Sequence, residues 1–356
     1  MQVKRNHGEL QRCARRSLFW CGLTLCLSPL VGGWLVDSCP VHIRDPGAAA
    51  CVSLWRRAKP EPQILVLGSS RLGSFVRTRE LNTLSKDLLG DDFTPIFNAS
   101  VICGEPITVQ FITRRLLVSR APPKLVLLET SPDLLARNNR YFVFVITQQL
   151  TAGDLPRYIP DILRSEAAVS RLISSRVTPF FRHRNHLLGW TNELVSGGRK
   201  IPSLPSKAVE AHSFQFVRDR GKDDPVPLAK RMQIGAGRFR SYLRNYQIAG
   251  ATSAALESTV AMLRAHGCMV ILVAPPVSSA QRALLTGDAQ TQFDTFLQRL
   301  TISYGCEVAN YSNRLPDHMF VDNHHANDAG SIKFTEWLAA ETLAPAWRKV
   351  VNPRAD

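Results

Sequence analysis

The stretch "ILVLGSSRLGSF", from Ile64 to Phe75, joins a short apolar run to a Gly-Ser-Ser-Arg turn and the start of a helix. Consecutive apolar residues bounded by a turn are typical of a strand that is buried on both faces. The turn needs a glycine, but it does not need two serines and an arginine. Either one serine has a chemical role, or this is an ordinary polar strand end, and the rest of the chain must distinguish the two.

Similar apolar runs recur along the chain and alternate with stretches of helical periodicity. The predicted strands are 63–70, 94–101, 123–133, 268–278 and 306–312. Apolar residues at helical spacing lie between them, as at 107–121 and 252–267. Because this alternation requires right-handed crossovers between parallel strands, it predicts an α/β domain over 63–350. The expected fold is a doubly wound parallel sheet, three-layered and flavodoxin-like.

The middle of the chain, 137–250, differs from its flanks. It lacks buried-strand runs, contains scattered prolines, and carries 19 Lys and Arg against 8 Asp and Glu. The sequence therefore predicts a mostly helical insertion that interrupts the α/β domain. Its surplus of positive charge is suited to an anionic polymer or lipid head groups, although an ordinary solvated surface would have the same composition.

The N-terminus explains part of the overall charge of +15, which itself points to an anionic partner. Residues 1–16 are basic, and residues 17–36 contain no charged side chain. Twenty residues of helix reach about 30 Å, the thickness of a bilayer core. We therefore predict a basic tail at 1–16, a transmembrane anchor at 17–36, and a linker at 37–62.

The positive-inside rule orients this anchor with the N-terminus in the cytoplasm and the α/β domain on the periplasmic or extracellular side of the plasma membrane. A cleaved signal peptide is the alternative, but the small residues at 47–51 lie more than ten positions after the apolar stretch. Extracytoplasmic placement argues against nucleic acid as the partner.

The eight cysteines include no C-x-x-C pair, so zinc and thioredoxin-like motifs have no support. We expect no cofactor and no metal. In an exported domain, Cys39, Cys51, Cys103, Cys268 and Cys306 are available for disulfides, and the sequence leaves their pairing open.

Three polar segments at predicted strand ends or loops have complementary chemistry. A serine hydroxyl becomes a nucleophile when a histidine takes its proton and a carboxylate orients that histidine. Asp322 and His325, three residues apart before the final helix, supply the base and its orienting group from one loop. A serine of the first turn would be the nucleophile. Its own N–H and that of Gly104, in the segment after the second strand, are candidate donors to an oxyanion.

This arrangement resembles the SGNH/GDSL hydrolase superfamily. Gly68-Ser69-Ser70 stands where the family has Gly-Asp-Ser, which makes Ser70 the nucleophile, and Gly104 matches the second-block glycine. Asp322 and His325 match the late Asp-x-x-His. The anchor and the Gly-Ser-Ser variant are most similar to the membrane-anchored branch with the teichoic acid D-alanyl transfer protein and the alginate O-acetylation proteins.

The resemblance implies an acyltransferase or carboxylic ester hydrolase that works through a serine acyl-enzyme. O-acetylation of a cell-envelope polysaccharide is the implied pathway, with a membrane-bound O-acyltransferase as partner. Ser70 and Gly104 would hold the oxyanion, and Arg71 and Asn98 are the candidate substrate-binding residues. Arg71 also has a structural interpretation, at the edge of the sheet.

The chain departs from the family at its third block, Gly-x-Asn-Asp, where "LLETSPDLLARNN" stands instead. That block supplies the asparagine of the oxyanion hole. Its loss favours a second interpretation, a non-catalytic protein of the same fold that binds polysaccharide or the acyltransferase. The presence of a serine, an aspartate and a histidine in the right order favours catalysis.

Overall fold

The computed structural model describes residues 7–38, 45–139, 142, 149–178, 218–219 and 222–352. The chain divides into two compact units, Met1–Pro46 with Val143–Arg199 and Gly47–Phe142 with Lys200–Asp356. Residues 1–6, Cys39 and residues 179–217 of the predicted insertion lie outside the described residues. The second unit contains the sheet and the candidate site.

The second unit is built on a five-stranded parallel sheet. Its strands are β1 (Ile64–Leu67), β2 (Ile96–Asn98), β3 (Leu125–Glu129), β4 (Met269–Ala274) and β5 (Glu307–Asn310). Their order is β2-β1-β3-β4-β5, and every neighbouring pair is parallel. This is the flavodoxin-like order of doubly wound sheets. The prediction of a parallel α/β sheet from alternating buried runs and helical segments is confirmed.

Helices account for most of the remaining described residues. In chain order they are α1 (His7–Ser38), α2 (Pro46–Arg57), α3 (Ser70–Phe75), α4 (Thr78–Leu89), α5 (Pro106–Ser119), α6 (Pro132–Leu135), α7 (Leu155–Ile162), α8 (Glu166–Val177), α9 (Leu228–Gly237), α10 (Arg240–Leu243), α11 (Ala251–Ala265), α12 (Ser279–Arg282), α13 (Gly287–Tyr304), α14 (Asp328–Trp337) and α15 (Ala344–Val351). A π-helical turn, Leu338–Leu343, joins the last two helices, and short 3-10 turns lie at Gly90–Asp92 and Asp317–Met319.

Both faces of the sheet are covered, which is why β1 and β3 are apolar at every position except the last residue of β3. Alternate residues of a strand point to opposite faces, so Leu65 and Leu67 pack into one core and Ile64 and Val66 into the other. Helices α2, α5, α11 and α13 cover the first face. Helices α4, α14 and α15 cover the second.

The predicted linker at 37–62 contains a helix that belongs to the core. Trp55 in α2 is 1% exposed and packs edge-on against Phe97, with ring centroids 5.3 Å apart. Ala48 and Cys51 are buried on the same face of α2. Composition suggested a linker because prolines and charged residues lie at both ends of this segment, whereas only a few apolar side chains anchor the helix.

The predicted insertion at 137–250 does not form one body. Its described part at 149–178 belongs to the first unit and contains α7 and α8. Its described part at 222–250 belongs to the second unit and contains α9 and α10. The described segments are helical, as predicted, but the periodicity of the sequence did not show that they are divided between two units.

The first unit contains one stretch, Gln11–Leu35 in α1, that is long and apolar enough to cross a membrane. Length and composition alone support this, and a signal sequence would meet the same criteria. Helix α1 packs against α8. Arg176 of α8 donates to the carbonyl of Gly33 at 3.0 Å and to Asp37 at 2.7 Å.

The strand order determines where polar groups gather in the second unit. Strand β1 lies between β2 and β3, so the chain leaves β1 on one side and later returns across it to β3. Ligands of open α/β sheets bind at such reversals, outside the carboxyl ends of the strands. Leu67 is paired with Leu128, so the turn after β1 lies beside the end of β3.

Candidate active site

The structure explains separately why each of the three positions of the Gly-Ser-Ser turn has its residue type. A Cβ on Gly68 would lie 2.8 Å from the Cβ of Glu129, so only glycine allows β1 and β3 to approach this closely. Ser69 is the N-cap of α3, and its hydroxyl accepts a hydrogen bond from the N–H of Arg71 at 3.1 Å. Ser70, the first residue of α3, is half-buried and so remains accessible to a substrate.

The structure brings Ser70, His325 and Asp322 together in one relay. The hydroxyl Oγ of Ser70 lies 3.0 Å from Nε2 of His325. The other ring nitrogen of His325, Nδ1, lies 2.8 Å from Oδ2 of Asp322. The two nitrogens therefore face a hydroxyl and a carboxylate, which is the geometry in which a histidine acts as a base towards the hydroxyl.

The loop before α14 holds the histidine by backbone hydrogen bonds. Asp322 accepts from the N–H groups of His324 and His325 through Oδ1, both at 2.9 Å, which leaves Oδ2 for the imidazole. The N–H of Ala326 donates to the hydroxyl of Ser74 at 3.2 Å. Because Ser74 belongs to α3, this bond joins the histidine loop to the helix that carries Ser70.

The electrostatics of the loop favour a charged carboxylate and a neutral second histidine. Burial works to raise the pKa of Asp322, but His325, His324 and the two N–H donors outweigh it and hold that pKa well below its usual value. Burial and the neighbouring His325 lower the pKa of His324 well below its usual value. The His324 ring packs edge-on against Phe239, with centroids 5.1 Å apart, and remains uncharged at neutral pH.

Two of the predicted residues are already occupied by structural hydrogen bonds. The N–H of Gly104, predicted as an oxyanion donor, donates to the carbonyl of Val101 at 3.0 Å. Asn98, predicted to bind substrate, accepts from the N–H of Ser100 at 3.0 Å and donates to Thr78 at 3.3 Å. In the described contacts, both groups are therefore engaged in hydrogen bonds within the protein, at and beside the loop after β2.

Arg71 is also placed differently from the prediction that it binds a substrate carboxylate. Its guanidinium is buried and donates to both oxygens of Asp133, at 3.1 Å and 2.6 Å. The hydroxyl of Ser131 accepts a further bond at 2.8 Å. A bidentate partner within the protein satisfies this cation, so the structural interpretation of Arg71 agrees with its contacts.

Glu129, the last residue of β3, is buried, and the sequence predicted no specific role for it. Its carboxylate accepts from the N–H of Ser69 at 2.5 Å and from the Ser69 hydroxyl at 3.0 Å, and it lies 3.9 Å from Nε of Arg71. Burial raises the pKa of Glu129, while Arg71 and Ser69 oppose that shift. The sequence feature that could have indicated this buried carboxylate is a single glutamate at the end of an otherwise apolar strand.

Asp322, His324 and His325 form a cluster of metal-ligand types among the described residues, with candidate ligand atoms within 4.8 Å of one another. A metal on His325 would take a nitrogen that already faces Ser70 or Asp322. The cluster is therefore better suited to the hydrogen-bonded relay than to metal binding.

Comparison with protein-family models gives no match to the chain. Comparison with curated proteins also gives no match. The functional conclusion therefore depends on the site itself and on the sequence resemblance.

Proposed function

We propose that the protein is a membrane-anchored, SGNH-like acyltransferase or esterase that works through an acyl-enzyme on Ser70. The observation that carries this proposal is the continuous relay of 3.0 Å from Ser70 to His325 and 2.8 Å from His325 to Asp322. A serine hydroxyl can contact a histidine by chance. It is less common that the second ring nitrogen of that histidine also contacts a carboxylate that backbone N–H groups of the same loop hold in place.

The chemistry follows from these contacts. The Ser70 oxygen attacks an acyl carbonyl while its proton moves to Nε2 of His325, and Asp322 stabilises the imidazolium that forms. The N–H of Ser70, at the start of α3 and without an acceptor inside the helix, is the nearest candidate donor to the oxyanion. Collapse of the intermediate returns the proton from His325 to the leaving group. Water or an acceptor hydroxyl then releases the acyl group by the reverse steps.

The contacts of the first unit support an anchor that is retained. Arg176 is 11% exposed, and its guanidinium donates to Asp37 and to carbonyls of α1 and its surroundings. The N–H of Ala152 also donates to Asp37, at 2.8 Å. Removal of α1 as a signal peptide would take away Asp37 and the Gly33 carbonyl, and with them two of the acceptors that Arg176 uses.

The substrate class and the partner rest on the resemblance. We propose that the acceptor is a cell-envelope polysaccharide, that a membrane-bound O-acyltransferase supplies the acyl group, and that the α/β unit lies on the periplasmic or extracellular side. We propose no nucleic-acid partner.

An activated serine is testable without a known substrate. The full-length chain in detergent is treated with a fluorophosphonate and analysed by intact mass. Any shortened version used for this experiment must keep α2, because Trp55 belongs to the core. We expect one adduct, lost in Ser70→Ala and in His325→Ala.

Matched variants control for nonspecific effects. Ser303→Ala and His318→Ala change exposed residues of the same types, and both should keep the adduct. Wild type that is folded by circular dichroism yet unlabelled would contradict the proposal. The non-catalytic binding protein would then be the better description.

A further inference from the structure

The packing of α8 on α1 places α8 beside the end of the apolar stretch. On α1, Gly32 and Gly33 are buried, and a Cβ on Gly33 would lie 3.2 Å from the side chain of Arg176. Gly33 lies three residues before Val36, where the uncharged stretch ends. At the helical rise this is about 4.5 Å inside the end of the stretch. Arg176 of α8 thus lies near the level where a bilayer core would end.

Near this end of the apolar stretch, Arg176 forms an ion pair, and its partner is Asp37. Asp37 lies 2.7 Å from the guanidinium, and the carbonyls of Gly33 and Leu150 accept at 3.0 Å and 3.2 Å. A cation at a membrane boundary is tolerated when it is paired and its hydrogen bonds are satisfied. Arg176 is paired with Asp37, and both of its terminal guanidinium nitrogens have acceptors, whereas its Nε has none in the described contacts.

A bilayer that covers the C-terminal part of α1 would also contact α8, which packs beside it. Leu30, Val31 and Trp34 surround the buried glycines of α1 and are 69%, 53% and 66% exposed. In the described contacts, α8 meets α1 at Gly33, while these three side chains are exposed and suited to the lipid around an anchor. A bilayer that reaches them extends to the outward face of the helix packed beside α1.

The outward face of α8 is suited to such contact. Ile173 and Val177 are large apolar residues, 56% and 41% exposed, spaced four apart on one side of the helix. Leu163, just before α8, is 70% exposed. Isolated exposed apolar residues are ordinary, but these lie on a helix that packs against the end of an apolar span.

We propose that α8 is a second membrane contact, lying in the head-group layer at the C-terminal end of α1 with Ile173 and Val177 against lipid. This inference rests on the proposed anchor. It gives the described part of the first unit a function of its own: α8 flanks the anchor and fixes its outer end, with the Arg176–Asp37 pair at the membrane boundary.

Site-specific photochemistry tests this contact. A diazirine-bearing amino acid replaces Ile173 or Val177 in the full-length chain, which is placed in vesicles of phosphatidylethanolamine and phosphatidylglycerol. Intact mass after irradiation reports lipid adducts. Leu25 of α1 is the positive control, and Val118 and Ile302, both exposed apolar residues on helices of the second unit, are matched controls.

We expect lipid adducts at Leu25, Ile173 and Val177, several-fold above those at Val118 and Ile302. An adduct at Leu25 without adducts at the two α8 positions would overturn the inference and leave the anchor intact. Absence of an adduct at Leu25 would overturn the anchor and this inference together. Equal adducts at all five positions would also overturn it, because contact would not be particular to α8.

Discussion

The N–H and hydroxyl groups of Ser69 both donate to the carboxylate of Glu129, at 2.5 Å and 3.0 Å. These bonds join the turn before the candidate nucleophile to the end of β3, 60 residues later in the chain. Both residues are buried. The turn that precedes Ser70 is thus bonded to a carboxylate that touches neither Ser70 nor His325 in any described contact.

Glu129→Ala should slow fluorophosphonate labelling of Ser70 by about 10- to 100-fold, because misplacing a nucleophile by about 1 Å has an effect of that size. Glu129→Gln should slow it less, since the amide oxygen still accepts from the Ser69 N–H. Labelling rates are measured beside unfolding midpoints. Equal rates in wild type and Glu129→Ala would contradict this positioning role, and Glu336→Gln at an exposed site is the control.

The buried pair of Arg71 and Asp133 should show strong coupling. Removing one partner leaves an uncompensated charge, so Arg71→Ala and Asp133→Ala should each lower the free energy of unfolding by about 3–5 kcal/mol. The double variant Arg71→Ala with Asp133→Ala should cost clearly less than the sum of the two single changes. Denaturant unfolding of all four proteins completes the cycle. Additive effects would mean that the two charges do not depend on each other.

Asp322→Asn tests the orientation of the base. The N–H groups of His324 and His325 would hold the amide oxygen at the Oδ1 position, so the NH2 group would face Nδ1 of His325 and donate to it. The tautomer that leaves Nε2 free to accept is then lost. We expect labelling of Ser70 to slow by about two to four orders of magnitude with the fold retained. Asp317→Asn, which removes a carboxylate that contacts Ser279 rather than His325, should label at the wild-type rate. A wild-type rate for Asp322→Asn would remove this aspartate from the relay.

Glu105 should make stability depend on pH. Burial raises the pKa of this carboxyl group to about 7, from 4.5 for an exposed one, while backbone N–H groups at the start of α5 oppose the shift. The folded state binds the proton more tightly, so its contribution to stability is complete below pH 4.5 and is lost as the pH rises to about 7.

Glu105→Gln keeps an oxygen that can accept from the N–H of Thr108 at the start of α5 and removes the titration. Between pH 5 and pH 8, the free energy of unfolding of the variant should rise relative to wild type by up to about 3 kcal/mol. Denaturant midpoints at several pH values measure this difference. A constant difference across that range would show that Glu105 does not titrate with the raised pKa.

The sequence predicted most of the sheet and the three residues of the relay. Strands buried on both faces have continuous apolar runs, which a sequence shows directly. The turn after the first strand and the Asp322–His325 spacing are local patterns, and their residue types limit the chemistry to a few reactions. The sequence predicted these segments at strand ends or loops, and the tertiary structure brings Ser70 and His325 together.

The sequence did not predict which polar groups at that edge bond to one another. The sequence left Arg71 either to bind substrate or to have a structural role, and its bidentate contact with Asp133 depends on the neighbouring positions of β1 and β3. Gly104 was predicted as an oxyanion donor, but its N–H orientation follows from the turn at Val101. Apolar patterning determines which face of a strand is buried, not the direction of a single N–H group.

The sequence by itself determined the parallel α/β architecture, the apolar N-terminal stretch and the candidate relay of Ser70, Asp322 and His325. Each depends on composition or on spacing within one segment. Only the tertiary structure decided that Glu129 bonds to the turn before Ser70, that α2 is part of the core, and that the basic middle region is divided between two units. These features depend on strand order and helix docking, which bring together residues far apart in the chain, and local periodicity carries no information about such distances.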